Sequence, residues 1–172
     1  MLYIFDVDGT LADSVGAKSK SGETFAKSIY YNRTRKVRRL SKTDQVAIAT
    51  NQAGVSLGLI TLGDVILRVS ALSVLVGASE YAISLWHPSV TYDKHMVSAL
   101  EHPLRGFSIN PLWRKPQPGM LDHLRLMLGY GAEDTVYIGD RLEDNLAAQA
   151  AQIKFVDHAE FFADVDDRQS RG

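Results

Sequence analysis

Two carboxylates one residue apart, Asp6 and Asp8, stand where a short apolar run, Leu2-Tyr3-Ile4-Phe5, breaks off into Gly9-Thr10. Alternate side chains of an extended chain point the same way, so both acids lean toward one site past the end of a strand. Adjacent carboxylates repel, and one is driven toward its protonated form unless a cation lies between them. Further along, the same arrangement of an apolar run ending in polar groups recurs. Gln45-Val46-Ala47-Ile48-Ala49 ends at Thr50-Asn51, and Thr135-Val136-Tyr137-Ile138 ends at Gly139-Asp140, with Asp144 close behind. Arg114-Lys115 precedes a proline pair and then a helical face, which places a lysine near a helix N-terminus, where anions are favoured. Alone, each has a bland reading: Asp-x-Asp as a solvated acidic turn, Lys115 as a surface charge, Asp144 as a helix N-terminal acid.

The elements that must carry these residues read as α/β. Apolar strands are expected at 2–5, 45–49, 81–86, 135–138 and 153–156, each rich in β-formers and lacking the alternation of a half-exposed strand. Between them, Leu62, Val65, Ile66, Val69, Leu72 and Val76 recur at helical spacing behind an N-cap at Thr61. Met120, Leu121, Leu124, Met127 and Leu128 give another helical face, ended by Gly129. Alternating strands and helices predict a parallel sheet of about five strands, helices on both faces, in a three-layer Rossmann-like arrangement. In such a sheet the strands point one way, so Asp6, Asp8, Thr50, Asn51, Lys115, Asp140 and Asp144 gather on one edge. Carboxylates crowded there require an ion, and oxygen ligands without thiolate or imidazole favour Mg²⁺. Such an ion, a lysine and hydroxyl or amide donors suit a phosphoryl group, which a carboxylate can attack to form an aspartyl-phosphate.

In that order, Asp6-Val7-Asp8-Gly9-Thr10, Thr50, Lys115 and Gly139-Asp140 with Asp144 resemble the motifs of the haloacid dehalogenase (HAD) superfamily of phosphatases. Thr50-Asn51-Gln52-Ala53-Gly54 and Arg114-Lys115-Pro116-Gln117-Pro118-Gly119-Met120 are similar to the branch that holds histidinol-phosphate and heptose-bisphosphate phosphatases and polynucleotide 3′-phosphatase domains. The resemblance implies Asp6 as nucleophile and Asp8 as general acid, then base. It implies Mg²⁺ on the side chains of Asp6 and Asp140 and the backbone carbonyl of Asp8, with Asp144 bound directly or through water. Thr50 and Lys115 would hold the phosphoryl oxygens, helped by backbone near Asn51, and Arg114 would reach the substrate. The sugar-phosphate members carry a cysteine-rich zinc loop before Arg-Lys-Pro. Here His87-Pro88 resembles its start, but there is no cysteine, and Trp113 stands at the last cysteine position.

With 172 residues and a net charge of -1, the chain is sized for one domain, 1–172, and nothing drives it globally toward nucleic acid or anionic membrane. The absence of cysteine fits a reducing, cytoplasmic setting, and no apolar run approaches a membrane span. No insertion is large enough for a full cap domain. The segment 87–113 reads as an irregular loop, 14–24 as a polar loop, and 164–172 as a fraying tail. The cluster Arg33, Arg35, Lys36, Arg38, Arg39 reads as a solvated helix face, with phosphate or a polynucleotide end as its functional alternative. The expected substrate is a small phosphorylated metabolite, either a sugar phosphate or a nucleotide. Alternatives are a polynucleotide 3′-phosphatase and a catalytically silent metal- or phosphate-binding module. Oligomeric state is open.

Overall fold

The computed structural model describes residues 1–14 and 28–166, so Phe25 and most of the polar loop lie outside the described residues. Six parallel strands form one sheet: β1 (Leu2–Phe5), β2 (Gln45–Asn51), β3 (Glu80–Ser84), β4 (Phe107–Ser108), β5 (Thr135–Gly139) and β6 (Lys154–Asp157), in the order β4-β3-β2-β1-β5-β6. Among the described residues the helices are α1 (Tyr31–Leu40), α2 (Leu62–Val76), α3 (Lys94–Leu100), α4 (Gly119–Leu128), α5 (Leu142–Ala150) and α6 (His158–Asp166).

The central strand is buried on both faces, which is why its sequence does not alternate. Phe5, with Val46, Ile48 and Ile138 from its neighbours, packs under Val37 of α1, Val69 and Leu72 of α2 and Phe162 of α6. Leu2 and Ile4 point the other way, with Ala47, Ala49 and Tyr137, and meet Leu121 and Leu124 of α4 and Ala147 and Ala148 of α5. The small alanines on both partners let α5 lie close to the sheet. Helix α2 starts as its sequence predicts: the Thr61 hydroxyl accepts from the Asp64 N–H at 3.1 Å, and Gly77 ends it at φ +73°.

Chain order runs outward from β1 through β2 and β3 to β4, then returns to place β5 on the other side of β1. The helices leaving β1 and β5 go to opposite faces. That reversal opens a crevice between the carboxyl ends of β1 and β5, the place where open α/β sheets bind ligands. Among the described residues, no helix is long and apolar enough to cross a membrane.

Three expectations need correction. The sheet has six strands, because Phe107–Ser108 pairs with Ile83 and Ser84; two residues are too short to show a period. The segment 87–113 is not irregular throughout: it holds α3, capped by Asp93, and two short 3₁₀ turns, Pro103–Arg105 and Pro111–Trp113. Residues 164–166 do not fray but complete α6.

Candidate active site

Asp6 follows β1 directly, and its N–H donates to Ile138 of β5 at 2.9 Å, so its carboxylate sits at the crevice floor, 4% exposed. The chain then turns tightly: the N–H groups of Leu11 and Ala12 both donate to the Val7 carbonyl. Gly9 lies at φ +86°, and a Cβ there would fall 2.1 Å from Asp140 Oδ2. Glycine is therefore required both by the backbone and by the close approach of the β5 loop.

Lys115 crosses the crevice fully buried. Its Nζ donates to Asp6 Oδ1 at 2.7 Å, to Asp144 Oδ1 at 2.6 Å and to the Tyr137 hydroxyl at 2.9 Å. The Tyr137 hydroxyl donates in turn to Asp144 Oδ1 at 2.9 Å. The other Asp144 oxygen accepts the N–H groups of Asp140 and Arg141, at 3.2 and 3.0 Å. Asp144 is thus saturated with protein donors, and its place is behind Lys115, holding it. A metal ligand acting through water fits this better than a direct one.

The charges sort by environment. Burial lifts the Asp6 carboxyl to about 7; Lys115 pulls it down and Asp144 pushes it up. Burial also works to raise Asp144, but the Lys115 ammonium outweighs it, and Asp144 lies below its ordinary value. Burial opposes the charge on Lys115, yet Asp6 and Asp144 outweigh that and raise it. Asp140 is raised by burial and then by Asp144. Burial holds Tyr137 well above a free phenol, so it remains a donor.

Oxygens of Asp6, Asp140 and Asp144 lie within 4.8 Å of one another, and Asp140 Oδ1 is buried with no hydrogen-bond partner among the described residues. Buried polar atoms are seldom left unsatisfied, and acids raised by mutual crowding are relieved by a cation. The donor set, carboxylate oxygen without sulfur or imidazole, fits Mg²⁺. Linkage gives the sign of a test. A buried carboxylate whose folded value is raised stabilises the fold at low pH, and that contribution is lost as pH rises toward about 7. Without divalent metal, Tm is therefore expected to rise as pH falls from 8 to 6. Saturating Mg²⁺ is expected to raise Tm at pH 8 and to flatten that slope, by about 2.7 kcal/mol at a hundredfold excess over Kd. Thermal melts with chelator and with Mg²⁺ check this, and an unchanged slope would argue against an ion between these acids.

Asp8 is held differently. Its Oδ1 accepts from Arg68 Nη2 at 2.7 Å, and its Oδ2 from Gln52 Nε2 at 2.9 Å. The same Gln52 nitrogen lies 3.0 Å from Thr50 Oγ1, so one amide links an acid on β1's loop to a hydroxyl on β2. Arg68 and Gln52 were missed from sequence, although Arg68 carried a signal: it is a cation on the apolar stripe of α2, between Val65 and Leu72. If Asp8 protonates the leaving oxygen, Arg68→Met is expected to lower kcat/KM for an alkyl phosphate about tenfold more than for an aryl phosphate, whose leaving group needs little protonation. Equal losses on both esters would leave Arg68 a structural role only.

The remaining residues fall around this centre. Asp6, Asp8, Thr50, Asn51, Lys115, Arg141 and Glu143 line one small cavity. The Asn51 side chain brackets the Lys115 backbone, accepting its N–H at 3.1 Å and donating to its carbonyl at 3.3 Å, so it positions the lysine segment. Arg114 does not line that cavity. Its guanidinium donates to the Trp86 carbonyl at 3.3 Å, facing a separate, larger cavity that Lys115 also lines. In the basic cluster, Arg33 donates from Nη1 to the Gly9 and Thr10 carbonyls, both at 3.1 Å, while Nε and Nη2 grip Asp166. Lys36 meets the Phe161 carbonyl and Asp164. Asp164 and Asp166, which repeat the Asp-x-Asp spacing, thus clamp α6 to α1 and to the loop after Asp6, and two of the five cations are spent on them.

A family model described as HAD-hydrolase-like matches residues 112–157, the part that holds Lys115, Asp140 and Asp144. D,D-heptose 1,7-bisphosphate phosphatase from B. bronchiseptica superposes with a TM-score of 0.67 at 23% identity, over 90% of this chain and 78% of that one. The fold is that of the HAD-like hydrolases. Two further solved HAD-like proteins superpose with lower TM-scores. A HAD-like phosphatase from Mesorhizobium loti gives a TM-score of 0.58 at 20% identity, over 88% of this chain and 68% of that one. A HAD-superfamily hydrolase from Geobacter sulfurreducens gives 0.53 at 19%, over 91% and 88%. No curated protein matches in sequence. The HAD-like frame accounts for the geometry: the nucleophile candidate and the acidic cluster lie at the β1–β5 switch point.

Proposed function

We propose that the chain is a Mg²⁺-dependent phosphomonoester hydrolase that works through an aspartyl-phosphate on Asp6. The observation that carries this reading is the buried Asp6 carboxylate on Lys115, beside the unpartnered oxygen of Asp140. In this reading Mg²⁺ would be held by Asp6, Asp140 and the Asp8 carbonyl, with Asp144 behind. When bound, it would supply charge neutralisation for the phosphoryl group. The D,D-heptose 1,7-bisphosphate phosphatase that resembles this chain was solved with magnesium and phosphate, which agrees with that assignment.

The protein's own groups then divide the work. Asp6 attacks phosphorus, the P–O bond to the alcohol breaks, and Asp8 gives the leaving oxygen its proton. Asp8 next takes a proton from the water that attacks the phosphoaspartate, which releases inorganic phosphate and restores Asp6. Thr50 Oγ1 and Lys115 Nζ, the latter by turning one of its three protons from Asp6 to the phosphoryl group, hold the phosphoryl oxygens in place, and positioning with charge neutralisation is most of what this chemistry needs. The substrate class is a small phosphorylated metabolite in a soluble, cytoplasmic setting. A polynucleotide end is disfavoured because Arg33 and Lys36 are bound to acids of α6.

The test is phosphate release with Mg²⁺ from an aryl phosphate, sugar phosphates, nucleotides and a 3′-phosphorylated oligonucleotide. Turnover that stops with chelator is the expected result. Mg²⁺ and phosphate binding without turnover on any of them would leave the silent-module reading instead.

A further inference from the structure

The larger cavity holds about 400 Å³ and shares Lys115 with the catalytic centre. This volume is in the range of small-molecule sites. Trp86, Leu112 and three prolines line it, with His87, Gln117 and Arg114 as its polar side chains besides Lys115, Arg114 being bound to the Trp86 carbonyl.

Resting on the phosphatase reading above, we propose that this cavity receives the organic part of the substrate, and that this part is a flat heteroaromatic base: the substrate is a nucleoside monophosphate. A sugar phosphate would bring many hydroxyls to a cavity where, away from Lys115, only His87, Arg114 and Gln117 offer polar side chains, and each hydroxyl that loses water without a new partner is penalised. A base has an apolar face for Trp86 and the proline rings, and its polar edge can meet Arg114. Stacking of a base on an aromatic side chain tolerates any base, so the cavity selects the class rather than one nucleotide. A mononucleotide fits better than a strand, since the cations of α1 nearest the catalytic loop are occupied by Asp164 and Asp166.

The experiment compares kcat/KM with Mg²⁺ for nucleoside 5′-monophosphates, hexose phosphates, ring-free glycerol phosphate and a 3′-phosphorylated oligonucleotide, in the wild type and in Trp86→Ala. The expected result is a nucleotide preference of tenfold or more over hexose phosphate, and in Trp86→Ala an approximately tenfold loss on nucleotide relative to glycerol phosphate. A preference for hexose phosphate, or equal losses on nucleotide and glycerol phosphate, overturns the inference and leaves the phosphatase reading standing. Faster turnover of the oligonucleotide than of any mononucleotide overturns the mononucleotide assignment. A second arm needs no turnover: in Asp6→Asn, a nucleoside monophosphate is expected to quench the fluorescence of Trp86, the other tryptophan, Trp113, being buried. Saturable quenching by nucleotide but not by hexose phosphate supports the cavity even if no substrate is hydrolysed, in which case the phosphatase reading alone fails. No quenching, or the same quenching by both, overturns it.

Discussion

Asp6→Asn is expected to lower kcat by at least about a thousandfold, roughly 4 kcal/mol of barrier, because an amide cannot attack phosphorus. Its shape is unchanged, and Lys115 keeps Asp144 as its counter-charge at 2.6 Å. The fold should survive: since burial already pushes the Asp6 carboxyl up to about 7, a neutral amide there removes a charge the fold holds at a cost. Far-UV circular dichroism and a thermal melt with chelator are expected to match the wild type while phosphate release disappears. A variant that retains wild-type turnover would end the case for Asp6 as nucleophile. Loss of activity accompanied by unfolding would instead mean that the residue is structural. The Mg²⁺-induced rise in Tm should shrink as well, because one of the clustered carboxylates is gone.

Lys115→Met has the opposite profile, with stability and activity failing together. The ammonium is 3% exposed and is the shared donor of Asp6, Asp144 and Tyr137. Methionine fills much of the volume but leaves two buried carboxylates facing each other without a cation. Removing one partner of a buried ion pair typically costs about 3–5 kcal/mol. For a chain of this size that is a fall in Tm of roughly 6–20 °C. The loss should be largest at pH 8, where Asp6 is ionised, and smaller near pH 5, where protonation of Asp6 relieves the repulsion. Saturating Mg²⁺ should restore part of the stability and none of the turnover, since the group proposed to hold the phosphoryl oxygens is absent. Chemical denaturation across pH, with and without Mg²⁺, measures all three. A Tm within about 2 °C of wild type would contradict the charge balance described for the crevice.

The two substitutions differ because the crevice is a balance of charges rather than a set of independent contacts. Lys115 is the counterweight for Asp6 and Asp144, and Asp140 is left for an ion. Arg68 and Arg33 stand outside this balance and fix its geometry. One holds the Asp8 carboxylate, and the other pins the carbonyls of Gly9 and Thr10 to the C-terminal helix.

Much of this was legible in the chain itself. Leu2–Phe5, Gln45–Asn51 and Thr135–Gly139 are apolar because they are buried on both faces, and burial on both faces is what a central parallel strand requires. Polar residues at their carboxyl ends then converge for a geometric reason: parallel strands end on one edge. So Asp6, Asp8, Thr50, Lys115, Asp140 and Asp144 could be assigned to one crevice, and hard oxygen ligands assigned to Mg²⁺, before any coordinates. Other features belong to contacts between residues distant in sequence, which no local pattern encodes. The strand Phe107–Ser108 exists only because β3 offers it an edge. Asp164 and Asp166 resemble a second acidic motif, and only the fold shows them spent on Lys36 and Arg33, more than a hundred residues away. Arg114, expected to reach the substrate, is bound to the Trp86 carbonyl and lines the larger cavity rather than the one that holds Asp6. As for the opening pair, the sequence alone determined that Asp6 and Asp8 share a strand end. Tertiary structure decided that they have different surroundings: Asp6 is buried on a lysine beside an acidic cluster, and Asp8 is held between an arginine and an amide. On that difference rests the proposal that one carboxylate attacks and the other carries a proton.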